Sequence, residues 1–179
     1  MSGSSDATGF PPSIVCVLDT GALANMKKKE LLKIDEQFGM FTAMTQLLRS
    51  GHLAYPKQVA AEMSRVDYPD TPGAWAAGCK GLVRYPAPHD EAIAEVLGAA
   101  QLMDPQGEHD YEEADPYVVA MAYEISERYP DCRVIVVSDD FKDRMPRKES
   151  IHTACERLGI ECWRSGEFIE HMKATMAGD

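Results

Sequence analysis

Two unbroken apolar runs stand out along the chain, Ile14-Val15-Cys16-Val17-Leu18 and Val134-Ile135-Val136-Val137. Continuous rather than alternating runs of this length belong to strands buried on both faces. Between them the apolar positions recur at helical spacing. Phe41, Met44, Leu47 and Leu48 predict a helix stopped by Gly51. Residues 52–55 could form a short strand. Pro56 suits a helix's first turn, and Val59, Met63 and Val66 mark the apolar face of a helix carrying Glu62. Residues 67–88, rich in Pro, Gly and aromatics, carry no assignment. Ile93, Val96, Leu97 and Ala100 predict another amphipathic helix. Asp115-Pro116 reads as an N-cap and first-turn proline for a helix through Val118, Val119, Ala122, Ile125 and Tyr129. A helix over 151–158, a Gly159 stop and a strand at 160–163 follow the second apolar run. Strands alternating with helices predict an α/β fold with a mostly parallel sheet.

Composition narrows this without changing it. Apolar residues make up 45% of the 179 and charged residues 26%, ordinary for a domain with a real core. No apolar run is long enough to span a membrane. The expected division is a disordered leader over 1–13, one domain over 14–165 and a helical tail over 166–179. Five scattered cysteines, with no CxxC pair, suit a reducing cytoplasm better than a disulfide framework. The net charge of −11 disfavours non-specific binding to nucleic acid or an anionic membrane, though local basic clusters remain.

The acids carry the chemistry. Both apolar strands end in aspartate, at Leu18-Asp19-Thr20 and at Ser138-Asp139-Asp140. In an open parallel sheet the carboxyl ends of the strands line the ligand crevice. Asp115 lies one turn before Val118 and Val119, and Glu62 borders its helix's apolar face. Each alone is explained as a cap, a turn or a solvated residue. Together, Asp19, Glu62, Asp115, Asp139 and Asp140 would converge on one edge, where like charges raise each other's pKa values unless cations intervene. An all-oxygen set suits Mg²⁺ or Mn²⁺ rather than zinc.

The ordered set Asp19-Thr20 with Leu23, Val59 with Glu62-Met63, Asp115 with Ala120 and Ala122, and Val136-Val137-Ser138-Asp139-Asp140-Phe141 resembles the PIN-domain nucleases. Bacterial single-domain members, including toxins of toxin–antitoxin modules, are the most similar. The resemblance spans roughly residues 14–163. It implies a three-layer α/β/α fold and a metal-dependent ribonuclease with Asp19 and Asp115 as principal metal ligands. Glu62 and one of Asp139 and Asp140 would complete the site. The family's Thr/Ser-x-Asp maps onto Ser138 and Asp140, which leaves Asp139 in the variable place, and Gly21 departs from the usual Asn or Ser. Thr20 and Ser138 would lie beside the substrate, and Lys142, Arg144 and Lys148 would contact phosphates. Lys27-Lys28-Lys29 with Lys33 is a second basic cluster that could equally be a solvated face.

Other readings compete. Leu18-Asp19-Thr20-Gly21-Ala22 resembles the motif of retroviral-type aspartic proteases, but helical periodicity over most of the chain contradicts that nearly all-β fold. A receiver domain would carry its acid pair after the first strand. A non-enzymatic PIN-like module binding RNA or protein is the alternative. His152, Cys155, Cys162 and His171 match no common zinc spacing. The stretch 104–115, with six acidic residues and no Lys or Arg, could be solvated or dock a basic partner. The partners implied are RNA, an antitoxin protein and a second copy of the chain, with no membrane.

Overall fold

The two apolar runs pair as neighbours at the centre of a four-stranded, all-parallel sheet in the computed structural model, which describes residues 12–65, 70–107 and 111–178. Strand β1 (Ile14–Leu18) lies beside β3 (Arg133–Val137), with Val15 opposite Val134 and Leu18 opposite Val137. The short β2 (Leu53–Ala54) flanks β1 on its other side, and β4 (Glu161–Trp163) flanks β3. The order is therefore β2-β1-β3-β4. Val15, Val17, Leu18 and Val134 to Val137 are all buried, as strands covered on both faces require. The fold is α/β with a parallel sheet, as the alternation of elements predicts, and the helices flanking the sheet are consistent with the three-layer α/β/α arrangement that the resemblance implies.

Helices α1 (Thr20–Asn25) and α2 (Ile34–Ser50) connect β1 to β2. Gly51 ends α2 in the left-handed conformation, φ 82°, that glycine adopts without a Cβ penalty. The chain then crosses through α3 (Lys57–Met63), α4 (Thr71–Cys79), a 3₁₀ turn at Lys80–Leu82, α5 (Asp90–Ala99) and α6 (Ala114–Arg128) before β3. Helix α7 (Ile151–Leu158) leads to β4, and α8 (Ser165–Ala177) follows. Because β1 connects first to one side and the chain then returns to β3 on the other, the strand order reverses between β1 and β3. A crevice opens at the carboxyl ends of the strands at such a reversal.

Several expectations are revised. Helix α8 buries Phe168, Ile169 and Met172, so the helical tail belongs to the same core as residues 14–165. Residues 71–82, left unassigned by periodicity, are helical, with Asp70 capping α4 through Gly73 N–H at 2.9 Å. Helix α6 begins at Ala114, so Asp115 lies in its first turn and is not its N-cap. Most of the expected leader, Val66 of the expected apolar face and residues 108–110 of the acidic stretch lie outside the described residues. Among the described residues no helix is long and apolar enough to cross a membrane.

Candidate active site

Asp19 is the first residue beyond β1, and Ser138 the first beyond β3, so the pairing of these strands sets their side chains together. The Ser138 hydroxyl donates to Asp19 Oδ2 at 3.0 Å and accepts from the Asp140 N–H at 3.1 Å. Asp19 stands at the N-cap of α1 but makes no side-chain cap there, and it is only 4% exposed. A Cβ on Gly21 would come within 3.3 Å of Asp19 Oδ2, so the glycine keeps side-chain bulk off this carboxylate. Burial, then the negative charge of Asp115, pushes the Asp19 carboxyl up to about 8. The Ser138 bond opposes this and Glu62 adds to it.

Glu62 reaches across from α3. Its Oε2 accepts from the Thr20 hydroxyl at 2.5 Å and its Oε1 accepts from the Ala114 N–H at 2.8 Å. The free N–H at the start of α6 is thus satisfied by a carboxylate 52 residues away in sequence. Asp115, on the next residue, is bonded to Lys148, whose Nζ lies 2.5 Å from Asp115 Oδ2 and 3.7 Å from Glu113 Oε2. Burial opposes the Lys148 charge, but Asp115 and Glu113 outweigh it and hold its pKa above the usual lysine value. Lys148 therefore neutralises acids where it was expected to meet phosphate. Thr20 and Ser138, expected beside the substrate, donate their hydroxyls to Glu62 and Asp19.

The strand-end pair divides. Asp140 accepts from the Ile151 N–H at 3.1 Å, helping to cap α7, and from Arg144 at 3.2 Å. Burial leads the upward shift of its carboxyl, which Asp115 reinforces against the Ile151, Arg144 and Lys148 contributions. Asp139 is placed elsewhere. Its oxygens accept from Asn25 Nδ2 at 2.5 Å, Ser165 N–H at 3.0 Å and Ser165 Oγ at 2.7 Å. Burial alone would raise its pKa, yet the Ser165 and Asn25 bonds hold it below the ordinary value. Asp139 thus joins the end of β3 to α1 and α8, through bonds separate from those of Asp19, Glu62 and Asp140.

Beside the acids is a pocket of about 430 Å³, lined by Glu62, Asp104, Tyr111, Glu113, Asp115, Arg144, Arg147 and Lys148. Glu113 and Asp104 were not singled out from the sequence. Their signal was there in outline, since both belong to the acidic stretch, and that stretch pairs with the chain's own basic run. Arg147 Nε donates to Asp104 at 3.0 Å, while Lys148 reaches Glu113 and Asp115. Lys142 stays exposed, whereas Lys27 pairs with Asp70 at 2.7 Å. Larger hollows, about 600 Å³ between α5 and α6 and about 660 Å³ beside α2 and α8, contain none of the strand-end acids.

The donor chemistry suits a hard divalent cation: oxygens only, with Asp19 burdened by negative neighbours that such a cation would relieve. The geometry is not a ready cage. Among the described residues, no three His, Cys, Asp or Glu side chains group closely enough to hold a metal ion.

The fold and the acids define an α/β/α protein with a carboxylate-rich crevice at the β1/β3 reversal. The chain belongs to the DUF4411 family, described as a domain of unknown function, which it matches over residues 16–176. No curated protein and no solved structure matches it.

Proposed function

We propose that this protein is a Mg²⁺- or Mn²⁺-dependent ribonuclease of PIN-like type that hydrolyses RNA phosphodiester bonds in the cytoplasm. One observation carries the reading: a buried aspartate at the β1/β3 reversal, its carboxyl pushed up to about 8 by burial and by Asp115. A carboxyl crowded by other carboxylates is poorly placed as a structural cap and well placed as a cation ligand. Asp19 and Asp115 are the residues that would hold the metal. When bound, it would lower the pKa of a water nucleophile and neutralise charge on the leaving oxygen. Ser138 fixes the Asp19 rotamer, and Thr20 fixes Glu62 against the start of α6. Exposed Lys142 would contact the RNA backbone, with Arg144 of the pocket lining, which is paired with Asp140, a weaker contributor. Five free thiols suit a reducing compartment. A toxin role with an antitoxin partner extends the same reading.

A second reading, a non-catalytic PIN-like binding module, is favoured by the Lys148–Asp115 bond and by the lack of an assembled cage among the described residues. The two separate in one assay. Purified protein is incubated with mixed single-stranded and structured RNA, with Mn²⁺ or Mg²⁺ and then with chelator. The nuclease reading expects cleavage that chelator and Asp19→Asn both abolish. Cleavage that persists in chelator overturns it, and RNA binding without cleavage under any metal supports the module.

A further inference from the structure

The positive charge at Asp115 is delivered by a built device. Residues 144–148 form a tight turn: the Arg144 N–H donates to the Lys148 carbonyl at 2.8 Å, and the Arg147 N–H to the Arg144 carbonyl at 2.9 Å. The turn is pinned from outside by Gln101, whose Nε2 donates to the Arg147 carbonyl at 2.8 Å, and by the Arg147–Asp104 pair. Beyond it, Glu149 exchanges bonds with the Gln101 backbone, donating from its N–H at 2.7 Å and accepting at 2.8 Å. The result places Lys148, its side chain only 16% exposed, against Asp115. Among the described residues Lys148 is the one side chain bonded to Asp115. Glu62 and Asp140, by contrast, each accept a fixed backbone N–H.

We propose that Lys148 is a tethered cation that competes with the divalent metal for Asp115, so that the metal enters only as Lys148 withdraws. The inference rests on the proposed metal site and deepens it. Lys148 meets only Asp115 and Glu113, so it occupies one ligand without removing the crowding of Asp19 by Asp115 and Glu62 that a dication would relieve. Competition of this kind lowers the apparent metal affinity by the fraction of molecules in which Asp115 is free.

The test is binding of Mn²⁺ alone to the full-length, chelator-stripped protein, read by titration calorimetry and by the paramagnetic resonance signal of free Mn²⁺. If Asp115 is free in roughly a tenth of molecules, Lys148→Met tightens Mn²⁺ binding about tenfold. Lys148→Arg, which keeps the charge, stays near the parent value. Lys142→Gln removes an exposed charge from the same segment and also stays near it. Should Lys148→Met fail to fold, Lys148→Gln carries the test with a gain in the same direction. Equal gains in the Lys148 and Lys142 variants would reduce the effect to long-range charge and overturn the proposal. Tight parental binding unaffected by Lys148 substitution overturns it while leaving the metal site standing. No Mn²⁺ binding by any variant removes the metal site, and the proposal with it.

Discussion

Asp19 sits where the folded chain resists a negative charge that the unfolded chain accepts readily. Its ordinary value is 3.8, and the fold pushes it up to about 8, through burial first and Asp115 second. Between about pH 4 and pH 8 the folded protein therefore keeps a proton that the unfolded chain has released. Stability contributed by a group falls with rising pH wherever the folded state binds more protons, and above the folded value the full penalty is present. The metal-free protein should thus lose stability across this window, by an amount on the order of a few kcal/mol. Asp19→Asn removes the ionisation and should flatten the slope, leaving the variant more stable than the parent at pH 8. Urea unfolding at pH 5 and pH 8, with chelator present, measures this. An unchanged pH slope in Asp19→Asn would mean that the carboxylate is not crowded.

At the scale of elements, the acids that matter are distinguished by what they hold. Asp139 ties the end of β3 to Asn25 of α1 and to both polar groups of Ser165 at the start of α8. Asp139→Ala leaves those donors without their acceptor and should cost about 1.5–3 kcal/mol, the range for hydrogen bonds to a charged group. Folded protein carrying this change should retain metal-dependent cleavage, because the side chain faces α8. Thermal unfolding together with the RNA assay checks both halves, and lost cleavage at full stability would return Asp139 to the site. The sequence alone could not separate Asp139 from Asp140, since adjacent residues at a strand end differ only in direction. The strands themselves were legible, because β1 and β3 are apolar on both faces and end in the acids of interest. Helix α1 was not, being six residues long with a glycine inside it. The start of α6 falls before Asp115 for a physical reason: Asp115-Pro116 has the local chemistry of a cap, but the helix already begins at Ala114, whose N–H is satisfied by Glu62 from another helix. Such long-range substitution leaves no trace in local spacing.

Over the whole molecule, the charge of −11 conceals an internal pairing that decides which cations are available to RNA. The acidic stretch and the basic run meet at Asp104–Arg147, Glu113–Lys148 and Asp115–Lys148. A cation already held by a carboxylate releases no counterion from a phosphate, so its contribution to the salt dependence of binding is small. Lys142, two residues before Arg144 in the same basic run, is exposed and can contribute. With metal removed by chelator, Lys142→Gln should weaken RNA binding at every sequence and reduce the logarithmic salt slope by about one. Lys148→Gln should leave that slope unchanged under the same conditions, because its charge is spent on Asp115. Fluorescence anisotropy of labelled single-stranded RNA across a salt series measures both slopes. A drop on substituting Lys148 equal to that for Lys142 would mean that the lysine turns outward to phosphate in the metal-free protein. The acid–base pairing across the pocket would then be too weak to govern the surface the RNA meets.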